Sequence, residues 1–449
     1  MGMTLFGYRD YRHLFAAQVV ALFGTGLTTV ALGLLAYQLA GADAAAVLGT
    51  ALAIKMIAYV LVAPVAAAHA DRVPRRLMLV GLDLLRATVV LALPFIDQVW
   101  QIYGLIAVLQ SASAAFTPTF QAVIPDVVTD ESDYTKALSA SQLASTMESL
   151  LSPVLAALLL TVMSFHWLFV GTVVGFLLSA AMVVSTRIPD SIPNPRDSAW
   201  ERVAAGIRIF AATPRLRGVL ALNLVVAGCG SIVMVNTVNY VQDALGRTRV
   251  DVAWLLAASG AGAMFVALVL PSVLQRVPER SVIAAGAALL VVGATSAIAL
   301  SVTVGDRRWI AALAVWALIG AGMSLVLTPV GWVLRRSSTP GDRPAVFAAQ
   351  FSLSHLCWLL TYPIAGWGAT LAGFTTTWTI LGMIAVTGAV TALILWPRRD
   401  PQELTHIHDV ATTDRTHLGD AIAIDGGRMQ HTHAFIIDGD HRRWPLLTS

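Results

Sequence analysis

Three ionisable side chains sit deep inside stretches that are otherwise apolar. Lys55, Glu148 and His355 interrupt apolar runs near residues 46–68, 136–163 and 344–371. At 1.5 Å per residue of helix, Lys55 is roughly 13 Å from the start of its run, and the other two are about twelve residues into theirs. A charge at the centre of a hydrocarbon layer costs roughly 2.5–3.5 kcal/mol on insertion scales, so such groups face a cavity or a partner. A carboxylate in a water-poor cavity can hold a proton and release it when its surroundings wet, which makes Glu148 the candidate proton carrier. The plainer alternative is a hydrogen bond between helices. Lys55 reads as one end of a structural ion pair or as a snorkelling cation, and His355 as a packing or hydrogen-bonding residue. Asn223, Asn236, Asn239, Tyr240 and Gln242 add polar groups to a seventh run. Asn236 and Asn239 share a helical face by their i,i+3 spacing and either line a cavity or bond a neighbouring helix.

Two further groups lie outside the apolar runs. The loop after the second run reads Asp71-Arg72-Val-Pro-Arg75-Arg76, with Asp83 and Arg86 one helical turn apart in the third. After residue 396 come six of the ten histidines: His406, His408, His417, His431, His433 and His441. Four of them form two H-x-H pairs, His406 with His408 and His431 with His433, whose side chains share a face in extended backbone, and imidazole suits Ni, Co, Zn or Cu. Without cysteine in this tail a thiolate site is excluded, so the expectation is a tail that binds a divalent transition metal, set against a merely solvated extension. Its segment 433–438 and Trp444 carry apolar residues that could dock on the rest of the chain. No H-E-x-x-H, nucleophile elbow or phosphate-binding glycine loop occurs, so no enzyme is expected and no cofactor beyond a proton gradient.

The elements that must position these groups follow from composition. Of 449 residues, 57% are hydrophobic and only 12% charged, about half the charge of a soluble domain. Crossing a bilayer takes roughly 20 apolar residues. Such runs fall near 13–40, 46–68, 77–96, 100–124, 136–163 and 165–186, then 216–242, 251–274, 281–304, 308–334, 344–371 and 374–396. The expected fold is all-α and membrane-integral: twelve transmembrane helices in two six-helix bundles. The expected units are 1–186, a linker 187–215, 216–396 and a polar tail 397–449. With the N-terminus inside, nineteen Lys and Arg residues flank the spans on the cytoplasmic side and four on the other. That asymmetry places both termini and the linker in the cytoplasm. It also accounts for the net charge of +3 without a nucleic-acid partner. Membrane lipid and a small molecule or ion are the expected partners of a monomer. Cys229 and Cys357 lie inside apolar runs and form no disulfide framework.

The halves repeat. Asp71-Arg-Val-Pro-Arg-Arg76 matches Gln275-Arg-Val-Pro-Glu-Arg280, Thr117-Pro118 matches Thr328-Pro329, and Pro153 matches Pro363. Three matches in order, in equivalent positions, indicate duplication. Duplicated halves imply a pseudo-twofold axis along the membrane normal and a cavity between them that opens to each side in turn. The implied function is transport.

These residues resemble the major facilitator superfamily over about residues 6–396. The family pattern G-x-x-x-D-R-x-G-R-R/K has Ala67 and Pro74 here in place of its glycines, and keeps Asp71, Arg72, Arg75 and Arg76. The resemblance implies that Asp71 latches the halves on the cytoplasmic face, with Asp83 and Arg86 extending the network. Topology alone also accounts for arginines at that edge. Ser152-Pro153-Val-Leu-Ala156-Ala157 is a small-residue version of the antiporter motif G-P-x-x-G-G. The first five spans look most like multidrug and siderophore exporters of the drug:proton antiporter branch. The tail resembles the His-rich tails of nickel-resistance exporters. The expectation is a proton-coupled exporter in a bacterial cytoplasmic membrane, its cargo a transition-metal ion or chelate. The alternatives are export of drugs, siderophores or other organic compounds, and a non-transporting metal sensor on the same scaffold.

Overall fold

A computed structural model describes residues 5–69, 74–128, 131–188, 199–305, 307–339, 342–397, 403–409, 422–424, 428–437 and 444. The first bundle comprises α1 (Arg9–Ala40), α2 (Ala44–His69), α3 (Arg75–Ala92), α4 (Val99–Val127), α5 (Glu131–Leu160) and α6 (His166–Val184). A linker helix α7 (Ala199–Ala212) leads to α8 (Pro214–Asn239), α9 (Arg249–Leu274), α10 (Glu279–Val302), α11 (Arg308–Arg336) and α12 (Arg343–Leu395). Gly373, at φ +76, divides α12 into arms 343–372 and 374–395; a side chain is disfavoured at that φ. Nine stretches of described helix are long and apolar enough to cross a membrane, and two of them, Arg9–Ala63 and Ala345–Leu395, are double. With both arms of each counted and the 30-residue α5 added, the expected twelve spans are present. The chain is a multi-pass membrane protein.

Packing follows the duplication. In the first bundle α1 packs on α5 and α6, α2 on α4, and α3 on α4 and α6. In the second, α8 packs on α12, α9 on α11, and α10 on α11 and α12. Between them, α2 meets α12 and α5 meets α9: the second helix of each half meets the fifth of the other, as a twofold exchange requires.

Two elements go beyond the sequence expectation. The linker is not simply polar: α7 buries Ile209 and Phe210. Its Gly206 lies so close to the Ala345 carbonyl that a Cβ would collide with it. The tail, expected as a polar extension of an all-α fold, adds a small sheet to the scaffold. Its strands are β1 (Glu403–Asp409), β2 (Ile422–Ile424) and β3 (Arg428–Ala434), ordered β1-β3-β2 and antiparallel. Beyond β3 the chain docks as expected. Phe435 and Ile437 are 4% exposed. The Trp444 ring lies 5.1 Å from that of Phe435 and under the Arg215 guanidinium, also at 5.1 Å. Arg215 in turn donates to Ser337 Oγ at 2.8 Å and to the Arg336 carbonyl at 3.2 Å, tying the tail to the linker-side ends of α8 and α11.

Candidate functional site

Lys55 and Tyr59 lie one turn apart on α2, Glu148 on α5, and Phe351 and His355 one turn apart on the first arm of α12. Counted along the helices at 1.5 Å per residue, Lys55, Glu148 and His355 are all roughly 16–27 Å from the ends away from the linker. The structure brings them together. The Lys55 ammonium interacts electrostatically with Glu148 and with His355, and its Nζ is 5.9 Å from the centre of the Tyr59 ring. Tyr59 stacks on His355 across the bundle interface, with centroids 5.1 Å apart and planes inclined by 4°. Phe351 closes the group, 5.6 Å from Tyr59 and 4.1 Å from His355.

Local contacts orient His355 and make room for Glu148. His355 Nδ1 lies 2.6 Å from the Phe351 carbonyl. A carbonyl only accepts, so Nδ1 carries hydrogen and Nε2 is the acceptor of the neutral ring. Gly26 on α1 lies against Glu148 Oε1 and Ser152 Oγ, where any Cβ would collide; the glycine makes room for the carboxylate. Lys55 borders a narrow cleft in the first bundle with Thr25, Thr28, Thr29, Gln110 and Ser113. Lys55, Glu148 and His355 are each half-buried, as groups facing internal space are.

Other expected site residues fall elsewhere. Asn236, expected to line the cavity, is fully buried inside the second bundle. It donates to the Ala365 carbonyl at 2.8 Å and accepts from Trp378 Nε1 at 3.0 Å, which is the interhelical alternative. Asn239 is not in the central site either: it lies at the end of α8 away from the linker, against the carbonyls of Gly41 and Ala42. Asp83 and Arg86 form a buried ion pair within the first bundle. Asp83 accepts from Ser179 Oγ at 2.7 Å, and the guanidinium lies between the rings of Phe116 (4.1 Å) and Phe176 (4.4 Å). The pair knits α3 to α4 and α6. Arg86→Met is expected to cost about 3–5 kcal/mol, because it leaves a buried carboxylate without its cation. A lowered melting temperature in detergent, partly restored by adding Asp83→Asn, checks this.

Arg75 and Arg76 open α3, and Arg76 donates to the Val184 carbonyl at the end of α6. Asp71 and Arg72, and also His417 and His441, lie outside the described residues. The tail's backbone register sets His406 opposite His431, with Leu404 opposite His433 and His408 opposite Met429. The side chains of these four histidines lie outside the described residues.

The sequence reading missed how the bundles close on the side away from the linker, the far side. Tyr37 donates to Asp243, and Trp367 Nε1 donates to Thr50 Oγ1 at 3.1 Å. Gly49 on α2 lies against Gly366 and the Tyr362 carbonyl on α12. Asn239 donates to the Gly41 and Ala42 carbonyls at 3.2 Å each. Nothing local in the sequence marks Tyr37 or Asp243 as partners, since they are 206 positions apart.

Comparison with known proteins agrees with this architecture. The chain is 23% identical over 273 residues to the transporter YfiS of Bacillus subtilis, spanning 59% of this chain and 61% of that protein. It is 26% identical over 181 residues to macrolide efflux protein A of Streptococcus pyogenes, spanning 39% of this chain and 44% of that protein. The match thus covers less than two thirds of either curated relative. Among solved structures, the nucleoside transporter NupG superposes with a TM-score of 0.67 at 11% identity, covering 86% of this chain and all of that one. A bacterial homologue of the lysosomal transporter Spinster, in an inward-facing and unoccupied conformation, gives 0.64 at 14%, covering 86% and 96%. At these identities the likeness shows the fold alone. The family model of the Major Facilitator Superfamily matches residues 14–303 and 219–414, most of the chain, and the protein belongs to that superfamily.

Proposed function

We propose that this protein is a secondary active transporter that exports its cargo in exchange for protons, by alternating access between its two bundles. The observation that carries the reading is the meeting of Lys55, Glu148 and His355 at mid-depth, where the bundles touch beneath a closed far side. Lys55 is on α2 and Glu148 on α5, the two helices of the first bundle with the most extensive contacts to the second. When Glu148 is ionised, its attraction for Lys55 holds α2 and α5 together; a proton on Glu148 removes it. Protonation therefore acts on two of the helices that form the bundle interface, and this couples the proton to the conformational change. The linker side is cytoplasmic by the excess of Lys and Arg there, and the far side is the side of release.

For the cargo, the aromatic group of Tyr59, Phe351 and His355 offers ring faces to an apolar organic molecule. The likeness to a macrolide efflux protein of Streptococcus points the same way. A second reading, export of a transition metal or its chelate, rests on the tail register that sets His406 opposite His431. One tolerance screen addresses both. A deletion strain is challenged with macrolides and with nickel, cobalt and zinc, then complemented with the full chain or with the chain ending at Pro397. Lost macrolide tolerance, restored by both forms, is expected. Lost metal tolerance restored only by the full chain moves the metal reading to first place. Unchanged tolerance to every compound counts against export.

A further inference from the structure

On the far side a polar cluster joins α1 and the turn after it to the end of α8, beside the Trp367–Thr50 contact. Tyr37, on the last turn of α1, gives its phenolic hydrogen to Asp243 Oδ1. The other carboxylate oxygen of Asp243 accepts from Asn239 Nδ2 at 2.8 Å. That same amide points at the Gly41 and Ala42 carbonyls of the first bundle. Two side chains of the second bundle thus grip one side chain and two backbone carbonyls of the first.

The local backbone is built for this grip. Gly41, at φ +54, ends α1 and turns the chain into a 3-10 turn over Gly41–Asp43, exposing the carbonyls that Asn239 meets. On the other side, α8 widens into a π-turn over Tyr240–Ala244, with Leu245 N–H bonded to the Tyr240 carbonyl at 3.0 Å. Such π-turns cluster at functional positions. Here the turn carries Asp243 at the bundle interface, while Tyr240 anchors it in the second bundle. Tyr240 is fully buried and packs on Trp316 at 5.7 Å and on Trp378 at 4.9 Å. The gripping elements belong to opposite bundles, so the cluster opens when the bundles separate.

We infer that Tyr37, Asp243 and Asn239 form a releasable lock on the far side, whose opening admits the outward-open state. Two features make it releasable. Asp243 is exposed, so water can replace the phenol as its donor. Asn239 Oδ1 is buried and, among the described residues, has no hydrogen-bond partner. A buried acceptor left unmade destabilises the state that contains it, so the closed state carries a penalty that separation relieves. Apolar closure alone, of the kind Gly33 makes against Val238, has no such bias. The lock rests on the alternating-access part of the proposed function and not on the cargo or on the proton.

Spin labels at Asp97→Cys and Val304→Cys test it; both positions are exposed far-side loop residues of opposite bundles. Cys229 and Cys357 are buried and are replaced by alanine. Distances are measured by pulsed electron resonance in lipid nanodiscs, without cargo or proton gradient. The parent should show a dominant short distance. Tyr37→Phe and Asp243→Ala should each raise the long-distance population about tenfold, in line with the loss of one hydrogen bond to a charged group. The double variant should add little to either single change, since each breaks the same contact. Equal melting temperatures exclude misfolding, and Tyr37→Phe, which removes a single oxygen, keeps the test valid if Asp243→Ala fails to fold. Unchanged distances in Tyr37→Phe, or additive effects in the double variant, overturn the lock. Because no transport is read, the outcome stands apart from the export reading: a chain whose distances shift but which moves no cargo has the lock and lacks the function.

Discussion

Glu148→Gln is expected to insert and fold like the parent and to lose gradient-driven export by about a hundredfold or more, because an amide cannot take up and release a proton. The carboxylate sits against Gly26 and Ser152 in a space that a glutamine of nearly equal shape also fills, so stability should change little. Cargo exchange at equal concentration on both sides, which needs bundle movement but no net proton transfer, should survive. The pair of measurements separates a coupling residue from a structural one: uphill export in everted vesicles should vanish while exchange in proteoliposomes persists. Uphill export at the parent rate would place the proton carrier elsewhere. Loss of exchange as well would make Glu148 the hydrogen-bonding residue of the plainer reading.

Gly49→Val is expected to abolish both modes, by at least about tenfold, through geometry alone. A Cβ at Gly49 would lie 2.7 Å from the Tyr362 carbonyl oxygen and 2.9 Å from the Gly366 Cα, well inside the usual 3.5–4.0 Å separation of nonbonded atoms. Both obstacles are backbone of α12 in the opposite bundle, so neither can swing aside. Since the clash is with the other bundle, folding of the first should be spared and the far side should be held open. A cysteine at Thr29, in the cleft beside Lys55, should then react with a membrane-impermeant maleimide added from the far side, and should react slowly in the parent. Equal reactivity in the two proteins contradicts this account of closure.

Much of the fold is legible because a membrane constrains a chain in few ways. Every span must satisfy its own backbone hydrogen bonds as a helix and be long enough to cross, so apolar run length places α1 to α6 and α8 to α12 within a few residues. The break between 371 and 374 coincides with Gly373 at positive φ. Helix α7 was not legible: its glutamate and arginines read as polar linker, and the apolar face that buries Ile209 and Phe210 appears only once α12 packs beside it.

The candidate site divides along similar lines. Lys55, Glu148 and His355 stood out because ionisable residues are rare at mid-membrane, and the structure groups them. Their neighbour Tyr59 carries no such signal, since an aromatic residue in an apolar run is ordinary; only the interface reveals its stack on His355. Asn236 and Asn239 shared a predicted face, but the π-turn after Asn239 and the position of Trp378 separate their roles. Pairings across the bundles, such as Tyr37 with Asp243, depend on the docking of two units and leave no trace in local spacing.

The central claim is that cargo and proton exchange through the cluster of Lys55, Glu148 and His355. The most direct test reconstitutes the protein in liposomes enclosing a pH-sensitive dye and adds a macrolide as cargo, with no pH difference imposed at the start. Coupled exchange predicts that cargo entering through the transporter drives protons out, so the interior becomes more alkaline, in proportion to cargo added. Liposomes bearing Glu148→Gln should show cargo entry without the pH change. A pH change of equal size in the Glu148→Gln liposomes, or cargo uptake by the parent with no pH change, would contradict the account.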